Sequence, residues 1–210
     1  MISCPSNTGI VRRPSPRRAL CARLSRIKRP SVLIALCLIA ALVAYPQNRI
    51  SEYAVKAAYL FNFGKFVRFA SSDQVNSRQS FDLCILGDDP LGHTLDDLTA
   101  NEQLDGKPAR VVRLKSAADA HACSIAYISS SEAAHLTADL EALRGQPVLT
   151  VSDAPNFLQR GGMIQFILVD NHVRFAVNLN AVRIAQIGLS SELLKVATSV
   201  NGESSSAVRP

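Results

Sequence analysis

Cys84 and Cys123 are the residues whose type and setting point most directly to chemistry, and that chemistry is oxidation to a disulfide. They occupy matching contexts, FDLCILG and HACSIAYIS, each apolar enough to read as a buried strand. Two cysteines on neighbouring strands of an exported chain favour a bridge. Closing a loop of roughly 40 residues would contribute roughly 4 kcal/mol on chain-entropy grounds, less any strain. The alternative is a pair of small buried hydrophobes.

Other reactive types are present without the spacing that would make them work together. His93, His121, His135 and His172 are scattered, and none stands at ligand distance from a cysteine or carboxylate in sequence, so no metal is expected. No serine lies in a Gly-x-Ser-x-Gly elbow. GDDPLG, at 87–92, falls between a strand and a helix, where open α/β folds hold ligands. It lacks both the dinucleotide and the P-loop spacing, and Asp88 and Asp89 would repel a phosphate while suiting a helix entrance. Asp153 in SDAP reads as the cap of a short helix. The expectation is a protein that is not an enzyme and carries no cofactor.

The elements that must position these residues alternate between strand and helix. Residues 52–69, EYAVKAAYLFNFGKFVRF, read as a helix apolar on far more than one stripe. Val55, Tyr59, Phe63 and Phe66 mark its strongest apolar face, and Asn62, Lys65 and Arg68 a narrow polar edge. Such a helix either buries most of its circumference or keeps part of it for a partner. Strands follow at 81–86, 109–114, 124–128 and 147–151, with helices over 93–99, 132–144 and 156–160 between or after them. Residues 163–169 and 173–177 form a hairpin across the polar turn 170–172, and helices at 178–186 and 191–197 close the chain. This order predicts an α/β fold: a three-layer sandwich with a mainly parallel sheet plus an antiparallel edge hairpin. Within the hairpin, Arg174 stands beside Phe175 and near His172, a combination that serves recognition at a sheet edge or marks only the wet face of a half-buried strand.

The N-terminus sets the compartment. Val32 to Ala44 is an apolar run of 13 residues, short for a membrane span and suited to a signal core. Eight of the 23 Lys/Arg and none of the 17 acids precede residue 45. Residues 1–44 therefore read as an export signal, with an uncleaved anchor as the alternative. Export also removes Cys4, Cys21 and Cys37, leaving an even two cysteines. The formal charge of +6 for the whole chain becomes −2 without the leader, from 15 Lys/Arg against 17 Asp/Glu. That balance excludes a basic nucleic-acid footprint. The remainder is expected to be one domain over residues 50–200 and a loose tail at 201–210.

Three blocks carry a family resemblance: EYAVKAAYLFNFGKFVRF, FDLCILGDDPLG, and GGMIQFILVDNHVRFAVNLNAVRIAQIGLSSELLKVA. In order and spacing they resemble the opening helix, first strand and closing block of the YfiR family of periplasmic proteins. The resemblance implies a periplasmic homodimer that represses an inner-membrane diguanylate cyclase through its periplasmic region, limiting cyclic-di-GMP and biofilm formation. Any membrane contact would then be made only through that partner or an uncleaved signal. It also implies a Cys84–Cys123 disulfide. A second cysteine pair found in some members is missing from FLQRGGMIQF, and Phe69-Ala70 replaces the Trp-Pro that often ends the first helix. The candidate partner-binding surface is Tyr59, Phe63, Phe66, Arg68, His172 and Arg174. The alternative function is a periplasmic ligand-sensing accessory of a sensor histidine kinase or transport system.

Overall fold

Side chains along a strand alternate between the two faces of a sheet, and that alternation separates this protein into two cores. The computed structural model describes residues 47–202, with side chains from residue 52. The expected leader at 1–44 lies outside the described residues, as do residues 203–210 of the expected tail. Helix α1 spans Gln47–Phe66 and runs into strand β1, Val67–Phe69. The single-turn α2, Asp73–Asn76, precedes β2, Phe81–Leu86. Then come α3 (His93–Thr99), β3 (Gln103–Leu104), β4 (Lys107–Leu114), β5 (Ile125–Ile128), α4 (Leu136–Ala142) and β6 (Leu149–Ser152). The hairpin β7 (Ile164–Val169) and β8 (His172–Asn178) follows, and α5 (Leu179–Ile184), β9 (Ile187–Leu189), α6 (Ser191–Val196) and β10 (Ser199–Asn201) complete the order.

Eight strands form one sheet in the order β10-β8-β7-β6-β5-β2-β4-β3. The pairs β4–β2, β2–β5, β5–β6, β6–β7 and β8–β10 are parallel; β7–β8 and β3–β4 are antiparallel. This is the expected α/β sandwich, mainly parallel, with its hairpin towards one end. The short β10 adds one further parallel strand outside β8. Phe81, Leu83 and Ile85 of β2, with Ile125 and Tyr127 of β5, face the core covered by α1 and α3. Cys84 and Leu86, with Ala126 and Ile128, face the opposite core against Leu136 and Leu140 of α4. Two layers of helix thus close over one sheet.

Several local expectations are revised. The opening helix stops at Phe66 instead of 69: Val67 is buried, Arg68 exposed and Phe69 half-buried, a period of two that pairs antiparallel with Leu189, Gly188 and Ile187 of β9. Arg68 therefore stands on a strand and not on the polar edge of the helix. Residues 156–160 form turns instead of a helix, because Asn156 adopts a left-handed φ of 59° at the entrance. The hairpin turn contracts to Asp170-Asn171, both at positive φ, with Val169 already paired to His172; that is the geometry of a two-residue primed turn. Of the expected tail, Asn201 instead closes β10.

Cys84 and Cys123 are bonded, with Cα atoms 6.0 Å apart. The bond ties β2 to the turn entering β5, on the α4 side of the sheet, and both residues are buried. Glycine has a steric role in α1: a Cβ at Gly64 would stand 2.6 Å from Leu104 Cδ1 and 3.3 Å from the Phe81 ring, both fully buried partners. Alanine there would gain about 1 kcal/mol of helix propensity yet lose more by overpacking.

Two stability measurements check this account. Replacing both cysteines with serine is expected to lower the unfolding free energy by about 2–4 kcal/mol in urea titration. Gly64→Ala is expected to lower it by about 1–2 kcal/mol net, in spite of the better helix former.

Candidate functional site

The crossing of α1 over the β7–β8 hairpin builds the surface of greatest interest. Phe166 and Phe175 lie opposite each other on the two strands, and the Phe63 ring centroid stands 5.9 and 5.1 Å from theirs. Tyr59, one helical turn earlier, stacks near Phe63 at 6.1 Å and meets Phe175 edge-on at 5.6 Å. Four rings at these separations fix the helix to the hairpin by burial and by ring geometry together. Phe63 is wholly buried in this cluster, which removes it from any surface a partner could touch. Tyr59 sits at the rim of the cluster and is half-buried.

Outside that rim, a groove of about 280 Å³ runs between helix and hairpin, lined among others by Glu52, Val55 and Tyr59 from α1 and by Leu168, His172 and Arg174 from the hairpin. The fold therefore brings Tyr59, His172 and Arg174 together across more than a hundred residues of sequence. Phe66 is half-buried, and Arg68 is exposed on β1, with Nη1 donating to the carbonyls of Lys65 and Val67; neither lines the groove. Val55 and Leu168 keep 40% and 54% of their surface in solvent, large values for side chains so apolar. Residues 54, 55, 58, 59 and 62 extend the same face along α1 as a shallow, mainly apolar strip. Leu168 and Val55 were absent from the surface expected from sequence; their steps along β7 and α1 signalled apolar residues, without telling which side stays wet.

The carboxyl ends of the parallel strands, where such sheets usually take ligands, are filled by the protein itself. Lys56, reaching down from α1, lies 2.7 Å from Asp153 Oδ2 just beyond β6 and 2.6 Å from Glu52 Oε1, with its ammonium 4.6 Å from the Tyr53 ring centroid. Only 5% of its side chain is exposed. Asp153 was expected as a helix cap, and its pairing with a residue 97 positions earlier left no local signal. Burial disfavours the Lys56 ammonium, but hydrogen bonds and charge from Asp153 and Glu52 outweigh it, and its pKa stands above the ordinary 10.5. Beside it, burial foremost, with the charge of Asp153, drives the Tyr127 phenol far up.

Self-contained bonding also accounts for GDDPLG. Asp89 Oδ1 accepts the backbone N–H groups of Leu91 and Gly92, and its other oxygen takes Arg113 Nε at 2.8 Å. Arg113 also forks onto Asp96, and that hydrogen bond is the main cause holding the Asp96 carboxyl below its usual range. The Asp88 N–H donates to Ser131 Oγ, joining the loops after β2 and β5 at the point where the strand order reverses. Among the described residues, no three His, Cys, Asp or Glu gather as a metal site.

This α/β domain has an internally bonded strand-end crevice and an open groove between helix and hairpin, with Glu52 and Arg174 on its walls. The YfiR/HmsC-like family model matches residues 53–198, and the chain belongs to that family. It is a family of periplasmic regulators. No helix among the described residues is long and apolar enough to cross a membrane. No curated protein matches the chain. Among solved structures, a conserved domain protein from Vibrio cholerae O1 biovar eltor is similar at 12% identity and a TM-score of 0.44, over 61% of this chain and 57% of that one. The ABC domain in complex with L-Trp from Streptococcus pneumoniae is similar at 9% identity and a TM-score of 0.42, over 59% of this chain and 56% of that one. The chain thus spans less than two thirds of either of those proteins.

Lys56→Met removes one partner of a buried pair and is expected to cost about 3 kcal/mol. Because the folded pKa of Lys56 is raised, its contribution is complete below the unfolded value and fades only as pH climbs through the folded one. Urea titrations of both proteins at rising pH should show a constant gap through neutrality that narrows above about pH 10.5.

Proposed function

We propose that this protein is a periplasmic repressor that holds an inner-membrane diguanylate cyclase inactive by binding the cyclase's periplasmic region. The chain is exported by residues 1–44, works as a homodimer, and lowers cyclic-di-GMP and biofilm formation for as long as it stays bound. The groove between α1 and the hairpin is the docking site, with Tyr59, His172 and Arg174 as contacts, Val55 and Leu168 as apolar anchors, and Arg68 as a further contact outside it. The observation that carries the reading is the groove itself: two exposed aliphatic side chains and a half-buried tyrosine beside an arginine. Aromatic and arginine side chains around an apolar centre are the composition that dominates binding energy at protein interfaces. Family membership supports a regulatory partner in general. Repression needs only that the repressor bind the inactive state of its target more tightly than the active one.

Cellular cyclic-di-GMP tests this reading. Deletion of the gene is expected to raise it, and the restored wild type to return it to baseline. Leu168→Asp and Tyr59→Asp, produced at wild-type levels and folded by circular dichroism, are expected to leave it high, since a buried anchor is worth about 2 kcal/mol or more. Unchanged cyclic-di-GMP on deletion would overturn the proposal and favour the ligand-sensing accessory.

A further inference from the structure

We propose that the segment docking in this groove is acidic: an apolar residue flanked by Asp or Glu, contributed by a different protein and not by a second copy of this chain. The inference rests on the groove being the docking site and adds the chemistry of what docks there. Arg174 on the groove wall is exposed and makes no hydrogen bond or ion pair among the described residues. Lys65, further along the exposed side of α1, rests its ammonium 4.7 Å from the Phe61 ring centroid. Arg68, just beyond the helix, bonds among the described residues only to backbone carbonyls. Among the described residues, none of the three meets a carboxylate.

Acids do not balance them from within. Among the described residues Glu52 is the only acid lining the groove, and it is committed to Lys56 at 2.6 Å. Asp170 at the hairpin turn and Glu192 on α6 line neither the groove nor the apolar strip on α1. Lys65 and Arg68 likewise line neither, so among the described residues the groove is apolar at its centre with Arg174 as the uncommitted cation of its wall. On a two-fold interface one patch meets its own copy, so a second chain seated here would bring Arg174 no uncommitted carboxylate from the groove lining. Like charges juxtaposed across an interface reject a partner, while carboxylates from another protein would find an unpaired guanidinium, which takes them in bidentate geometry. Such rim contacts act on association rate and salt sensitivity, while the apolar residue supplies the hold.

Random peptides displayed on phage and panned against the purified protein supply the test. Enriched sequences are expected to place Asp or Glu around an apolar or aromatic residue. Their synthetic forms should bind at least about tenfold more weakly to Arg174→Glu, and more weakly to the wild type as salt rises from about 0.05 to 0.5 M. Arg174 is exposed, so Arg174→Glu should keep the wild-type melting temperature, and lysine-substituted versions of the same peptides should prefer it. Neutral or basic enriched sequences that are lost on Leu168→Asp would overturn the acidic assignment and leave the groove as the docking site. Acidic peptides that bind Leu168→Asp and Arg174→Glu as well as wild type would overturn the groove reading and this inference with it. Self-association in sedimentation equilibrium that Leu168→Asp abolishes would put a second copy in the groove and overturn it too.

Discussion

The core on one face of the sheet depends on the packing of α1 against the hairpin. The helix has too much apolar surface for one stripe, and a single helix lying over a sheet can bury only one side of itself. The hairpin answers with Phe166 and Phe175, whose rings close around Phe63 and leave Tyr59 at the margin. Buried aromatic area of this size, with ring contacts each worth about 1 kcal/mol beyond it, outweighs any propensity of the isolated helix. What the cluster leaves uncovered, Val55 on one side and Leu168 on the other, is the groove. The candidate site is thus the unburied remainder of the fold's own aromatic contact.

Lys56 is the second fixed point of the same helix. Taking an ammonium out of water costs several kcal/mol, and a lysine held this far from solvent persists because two carboxylates and an aromatic face surround it. The network lies at the carboxyl end of the parallel strands, so the protein's own side chains occupy the place where a relative of this architecture would admit a ligand. The loops after β2 and β5 close the neighbouring crevice by hydrogen bonding to each other. A domain arranged in this way offers its surface between helix and hairpin instead of its strand ends.

The sequence showed some of this and hid the rest for identifiable reasons. Strands β2, β5 and β8 announced themselves by apolar alternation and β-branched residues, and the hairpin by a short polar turn. Cys84 and Cys123 were legible from parity and matching contexts. Tyr59 and Phe63 were indistinguishable at one helical turn apart, since only the position of the hairpin decides which is enclosed. Strands β1 and β9 hold three residues each and take their conformation from mutual pairing, so neither carries a periodic signal of useful length. Asp153 looked like a cap because its true partner is 97 residues away, and long-range ion pairs leave no trace in local spacing. His172 and Arg174 were visible as residue types on a strand, but their meeting with Tyr59 depends on tertiary packing alone.

Glu52 links the two fixed points of α1, because it lines the groove and also holds Lys56. Its carboxylate therefore takes part in any change of charge at the groove wall: a ligand acid brought to Arg174 is repelled by Glu52 as it is attracted by the guanidinium. Lys56 tempers that repulsion by neutralising Glu52 from beneath, and Asp153 in turn shares the ammonium. An acid at the surface and a cation below it thus adjust the field of a groove whose apolar walls are set by rings several ångströms away. In the proposed docking, recognition would be divided between elements, with shape fixed by the aromatic cluster and charge set by a network that reaches from the groove to the end of β6. A helix held at both places cannot shift along the hairpin without breaking ring contacts or uncovering a buried charge, and each of those costs more than a rim contact returns. A groove held in this way is shaped in advance, and under the proposed function that would turn small differences between two states of a partner into differences in affinity.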